Sequence, residues 1–167
     1  MRKTSLELRN IPRQPKENKT DLFNMIHNLL KALKIESMFS EIKDVYRVPK
    51  KSDTNNITTV IIELSSTLTR INILNEIKSF YKNNNGIQLN TTHLGLSSKS
   101  PIYGSEYLTA KTKRIHFLAR DFMKTENYKF CWISNGNVFL KKEEGSPHIL
   151  VKSEEILTSL KKKQTNV

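Results

Sequence analysis

The chain has 167 residues, of which 28 are Lys or Arg and 16 are Asp or Glu, for a formal net charge of +12. That length holds one ordinary domain or two small ones, and 37% hydrophobic residues suffice for a modest core. A single cysteine, Cys131, excludes an internal disulfide and a Cys-rich zinc site and points to a reducing compartment.

No apolar leader follows Met1 and no run approaches a membrane span, so a soluble intracellular protein, in the nucleus or cytoplasm, is expected, with no membrane partner. The charge attracts polyanions, nucleic acid above all. The chain is also rich in Asn, Ile and Lys, which an AT-rich genome enriches without selection for binding.

Residues 5–11 alternate through Leu6, Leu8 and Ile11 and stop at Pro12, which predicts a short strand followed by a loop to Asn18. Over residues 20–35, Leu22, Phe23, Ile26, Leu29, Leu30 and Leu33 have the spacing of an amphipathic helix, capped by Asn18 or Thr20. Residues 41–48 alternate again, with Ile42 and either Val45 or Tyr46 inward, and end at Pro49. A flexible polar loop over 50–56 leads to a β-branched strand, Ile57–Leu64. Ser65 or Ser66 caps a second helix with Leu68, Ile71, Leu74, Ile77 and Phe80 on its apolar face; residues 83–86 close it, and 87–89 begin a final short strand.

The order β-α-β-β-α-β over roughly 85 residues is that of a ferredoxin-like (RRM-like) module: an antiparallel sheet with two helices on one face and the other face open for binding. Residues 95–100 are small and polar and read as a linker, giving domains at 1–94 and 101–163 and a tail at 164–167. The second domain begins with a helix from a Thr109 cap to about residue 126. Strands at 128–134 and 137–142 flank Asn135-Gly136, whose positive φ requirement marks a hairpin. A third strand at Ile149–Val151 and a helix over 153–162 complete a small α+β domain.

Charge is concentrated in this second half. Residues 99–142 hold nine Lys or Arg against three acids, half the chain's excess in about a quarter of its length. On the helix after Thr109, Lys113, Arg120 and Lys124 fall within about 40° of one another with Phe117 beside them, while Ile115, Leu118, Ala119 and Phe122 take the opposite face. Such a stripe neutralises phosphates and releases counterions, tightly at low salt and with little regard to sequence; the bland reading is a solvated helix face. Tyr128, Phe130, Trp132 and Phe139 either stack on unpaired bases or form the core of the small sheet, the latter with Cys131 on the face opposite Phe130 and Trp132. In the first half, Arg9, Arg13, Arg47, Lys50 and Lys51 lie at strand ends and in adjoining loops, and Arg9 and Arg47 are expected on the open side of the sheet. Standard RNA-recognition modules carry stacking aromatics on the first and third strands; here both strands lack them, so this sheet does not bind bases in that way.

Nothing points to catalysis. His27, His93, His116 and His148 share no metal-ligand spacing with each other or with Cys131, no glycine-rich phosphate loop exists, and Glu143-Glu144 and Glu154-Glu155 read as a turn and a helix start. No enzyme activity, cofactor or metal is expected.

Two stretches, residues 111–120 and residues 128–142 running through Trp132, Asn135-Gly136, Phe139 and Lys141-Lys142, resemble the C-terminal domain of the baculovirus few-polyhedra (FP) protein family; residues 149–154 fit that domain's closing strand and helix start. The domain recurs in many insect proteins, several apparently from transposable elements. Upstream, residues 8–12 (Leu-Arg-Asn-Ile-Pro) and 46–49 (Tyr-Arg-Val-Pro) are similar to two landmarks of the RNA-binding first-reading-frame proteins of LINE retrotransposons. The resemblance implies an RNA or single-stranded DNA binder, with strand annealing among its activities and a nuclear or ribonucleoprotein setting. It further implies that Arg47 is a strand-borne nucleic-acid contact, and that Arg114, Arg120, Lys141 and Lys142 line the second domain's surface. Relatives usually carry an upstream coiled coil; no heptads precede the first strand here, so the oligomeric state stays open. The rival reading is a protein-interaction module, a viral structural or nuclear-trafficking factor whose charge is incidental.

Overall fold

The computed structural model describes residues 2–49 and 55–165, and the chain divides into two compact units, Met1–Tyr107 and Leu108–Val167. Each joins helices to an antiparallel sheet, so the class is α+β.

In the first unit, β1 (Ser5–Pro12), α1 (Lys19–Ala32), β2 (Ile42–Arg47), β3 (Ile57–Leu64), α2 (Thr67–Asn83) and β4 (Tyr103–Glu106) build a sheet of order β2-β3-β1-β4 in which all neighbours are antiparallel. The predicted alternation sets its register. Leu6 pairs with Ile62 and Leu8 with Val60, and all four are buried beneath α1 with Leu22, Ile26, Leu29 and Leu30. Asn18 caps α1 in a reciprocal box: its side chain accepts from the Asp21 N–H at 3.1 Å, and the Asp21 carboxylate accepts from the Asn18 N–H at 2.9 Å.

Helix α2 departs from its predicted face. Ser66 caps it, and Ile73 is buried with Leu74, Ile77 and Phe80 against the core, but Leu68 is 66% exposed. Two residues further on, Arg70 is buried, donating from Nη1 to the Lys3 carbonyl at 2.5 Å and lying 3.7 Å from the Glu106 carboxylate. A buried charge is tolerated when an opposite charge and a backbone acceptor meet it, and helical periodicity alone cannot foresee that pairing.

The closing strand is not at 87–89. Ile87 is 56% exposed, and only Leu89 of that run enters the core. The chain instead makes a single helical turn, Thr91–Leu94, capped by Asn90 and ended by Gly95 at φ 85°. Backbone hydrogen bonds then tie Thr91 to Ser100 and Ile102 to Leu89, and β4 runs back beside β1 with Leu8 opposite Gly104. A Cβ at Gly104 would lie 2.7 Å from the Ile77 side chain, so a glycine there lets α2 approach β4. Residues 95–100, expected as a linker, therefore lie within the first unit, and the division falls after Tyr107.

The second unit comprises α3 (Ala110–Thr125), β5 (Phe130–Ser134), β6 (Asn137–Lys141), β7 (Ile149–Val151) and α4 (Glu154–Thr165), with sheet order β5-β6-β7. Asn135 and Gly136 both take positive φ, 50° and 73°, as the predicted hairpin requires. Ile115, Ala119 and Phe122 of α3 bury against Val138, Leu140, Val151 and Leu157, with Tyr128 packed on Phe122 at 5.3 Å between ring centroids.

Candidate nucleic-acid interface

The first-half cations that the sequence singled out have different fates among the described residues. Arg47 was expected on the open sheet face, but it pairs in register with Val60, a core-side residue, and its side chain is only 10% exposed. All five guanidinium N–H donors are engaged: Nε to Glu17 Oε1 at 2.5 Å and Nη2 to Glu17 Oε2 at 2.7 Å, with Nη1 donating to the Ile11 carbonyl and Thr58 Oγ1 and Nη2 to the Pro12 carbonyl. Glu17 is itself 3% exposed, so this fork-to-fork pair pins the loop after β1 to β2 and β3 and leaves no donor for a phosphate. Arg9 on β1 and Arg47 on β2 do lie on near-neighbouring strands, with β3 between them, but Arg47 is on the core side of the sheet.

Arg9 is exposed and 3.8 Å from Glu7; it borders a hollow of about 390 Å³ with Lys78, Tyr81, Lys82 and Tyr103. Arg13 is exposed in the loop after β1. Lys50 and Lys51 lie outside the described residues.

The second unit brings several of its cations together on one surface. Lys113, Arg120 and Lys124 line a hollow of about 350 Å³ on α3 together with His116, Phe117 and Asp121. Phe117 is 73% exposed, the most exposed large apolar side chain of the described residues. Arg120 and Lys124 have no carboxylate within ion-pair distance among the described residues. The first turn of α3 is charged against the helix dipole, with no acid and with Lys111 and Lys113 there instead, whereas α1 begins with Asp21 and α4 with Glu154 and Glu155. Cations at a helix N-terminus cost stability, so Lys111 and Lys113 do not serve the helix, whereas Lys124 in the last turn does. Arg114 is set apart from the stripe: it donates to Glu154 at 2.6 Å, tying α3 to α4, and this contact holds its pKa above the ordinary guanidinium value.

A second hollow of about 660 Å³ follows the edge of β5, lined by His116, Arg120, Met123, Lys129, Phe130, Cys131 and Trp132. Arg120 and His116 border both hollows, so the helix stripe and the hairpin share one surface. Burial, and then the Arg120 charge, push the His116 pKa below the ordinary imidazole value. Burial raises the Cys131 thiol, with Arg120 opposing.

Of the four aromatics around the hairpin, Tyr128 joins the core and Phe130 and Trp132 do not. Cys131 and Ile133 pack inward, while Phe130 and Trp132 are 38% and 37% exposed on the other face. With Cys131 and Ile133 packed on the core, the alternation of the strand puts the larger rings outward. Lys141 joins them, its Nζ 5.9 Å from the centroid of the Phe130 ring, and Lys142 is exposed just beyond. Lys129 and His116 belong to this surface and were not foreseen; the only sequence signal for Lys129 is its place beside the aromatic strand.

Residues 109–161 match the family model of baculovirus FP protein domain 2. The match supports the baculovirus FP family for the second unit, taking in the cap of α3, the whole three-stranded sheet and most of α4. Both basic hollows lie within the FP domain 2 match. No curated protein matches the chain. Among the described residues, no group of three or more His, Cys, Asp or Glu side chains is placed to hold a metal, and no helix is long and apolar enough to cross a membrane.

Proposed function

We propose that this protein binds nucleic acid, RNA or single-stranded DNA, through the α3 surface of its second unit, without catalysis and with little regard to sequence. The observation that carries this reading is the hollow lined by Lys113, His116, Phe117, Arg120, Asp121 and Lys124, three cations and one carboxylate along one helix face around an exposed ring. Arg120 and Lys124, with no carboxylate in ion-pair range among the described residues, are available to phosphates and release counterions when they engage them. Long flexible side chains on a helix face impose no base pattern, hence the tolerance of sequence.

The first unit is read as a ferredoxin-like module, a reading supported by its β-α-β-β-α-β element order and its strand order β2-β3-β1-β4. Its likeness to the RNA-binding proteins of LINE retrotransposons rests on the short runs at residues 8–12 and 46–49 and belongs to the same proposal. With the FP domain 2 match, this points to a viral or transposable-element-derived accessory protein acting inside the cell, in the nucleus or the cytoplasm, and strand annealing is the activity a sequence-tolerant binder of this kind would support. Arg47 has no part as a contact in this proposal; it orders the first unit.

Fluorescence anisotropy with labelled single-stranded RNA and DNA of about thirty nucleotides, titrated at several salt concentrations, tests the reading. The expected result is an affinity whose logarithm falls linearly with log salt. Absence of binding even at low salt would reject it and leave protein interaction through exposed Phe117 as the reading to pursue.

A further inference from the structure

The outer face of the second unit's sheet carries a feature that charge alone does not explain. Trp132 and Phe139 face each other across β5 and β6 with ring centroids 5.5 Å apart and planes 18° from parallel. The His148 ring meets both edge-on, at 6.4 and 5.5 Å. The next cross-strand pair sets Phe130 opposite Lys141. Parallel stacking of Trp132 on Phe139 holds the indole in one orientation while over a third of its residue surface stays open to solvent. Water alone does not reward a tryptophan held out on a sheet face with a phenylalanine beside it.

We propose that Trp132, with Phe130 beside it, is a stacking platform for the unpaired bases of single-stranded nucleic acid, while Arg120 and Lys129 neutralise the flanking phosphates. The inference rests on the nucleic-acid reading above and narrows it to single strands engaged by the β5 edge. Three observations support this occupant. The hollow along β5 sets two rings beside two cations and no carboxylate, the combination that single-strand binders use. Bases inside a duplex are already stacked and cannot reach a ring fixed on a sheet face, so the platform favours strands whose bases are free. A second copy of this chain would bring its own excess of +12 against the same cations, which disfavours self-association there.

Trp132 is the chain's single tryptophan, so its emission reports this face directly. The test titrates the full chain with oligo-dT of about thirty nucleotides and with a blunt duplex of equal length, following tryptophan emission and the anisotropy of labelled strands in parallel. The expected result is strong quenching by oligo-dT and little by the duplex. Trp132→Ala should weaken single-strand binding roughly tenfold, the scale of one lost base stack, and leave duplex binding unchanged. Trp132→Phe should retain most of the affinity, which separates a stacking role from a fold that merely needs a ring there. Anisotropy that rises while tryptophan emission stays constant would overturn the platform and spare the nucleic-acid reading. No anisotropy change with any nucleic acid at low salt would overturn both. An emission shift that depends on protein concentration without nucleic acid would show a self-association face and overturn the platform.

Discussion

Two arginines of this chain look alike in sequence and have opposite lives in the structure. Arg47 lies at the end of a strand in the first unit, and Arg120 lies on a helix of the second. Arg47 is enclosed, with Glu17 taking two of its donors and two backbone carbonyls and a threonine taking the rest. Arg120 stands exposed between two hollows with no carboxylate partner among the described residues. Formal charge counts both equally, but only the second is available to a phosphate. The same contrast runs through Arg70, buried against Lys3 and Glu106, and Lys124, exposed on α3.

The largest expected effect belongs to the enclosed arginine. Arg47→Ala strands the Glu17 carboxylate in the interior and should cost about 3–5 kcal/mol of stability, seen as a lower midpoint in denaturant unfolding. A loss below about 1 kcal/mol would mean that the fork is not a structural clamp. Under conditions where an Arg47 variant remains folded, the salt dependence of nucleic-acid binding should be unchanged. A shallower slope would return Arg47 to the interface and erase the contrast.

Charge reversal on the exposed side should do the converse. Arg120→Glu with Lys124→Glu should leave the melting temperature nearly unchanged and flatten the slope of log affinity against log salt by about one to two. An unaltered slope would remove the α3 stripe from the binding surface.

Smaller effects sharpen the geometry. Burial and Arg120 disfavour the His116 imidazolium, so its folded pKa lies below the ordinary value of 6.5 and its contribution to stability grows as pH rises through that window. A phosphate beside it reverses the preference, so binding takes up a proton and affinity should rise as pH falls below 6.5. His116→Gln should abolish that part of the rise; an identical pH profile in the variant would place His116 away from the bound strand. Smallest is Arg114→Ala. Because Arg114 turns toward Glu154, its removal should weaken binding less than Arg120→Ala does, and the reverse order in anisotropy titrations would move the interface toward α4.

Local pattern carried most of the secondary structure. Alternation in β1 and β3, the Asn18 cap, the apolar stripe of α1 and the Asn135-Gly136 turn depend on neighbours in sequence, and each lies where it was predicted. The cationic face of α3 was legible for the same reason, since helical spacing by itself aligns Lys113, Arg120 and Lys124.

What sequence left open concerns partners far apart along the chain. Tyr103–Glu106 has little strand propensity and becomes β4 only because β1 offers an unpaired edge and Gly104 admits Ile77. Arg47 and Glu17 are 30 residues apart, and nothing local to either announces that a carboxylate will consume the guanidinium. Phe130 and Trp132 alternate as a core face would, yet it is Cys131 and Ile133 that pack on the core, and the rings stay outside. Composition, periodicity and turn chemistry thus determined the elements and the total charge. Tertiary packing alone decided which charges were neutralised within the fold and which rings were left to meet something else, because both depend on the distance between groups that the sequence does not place side by side.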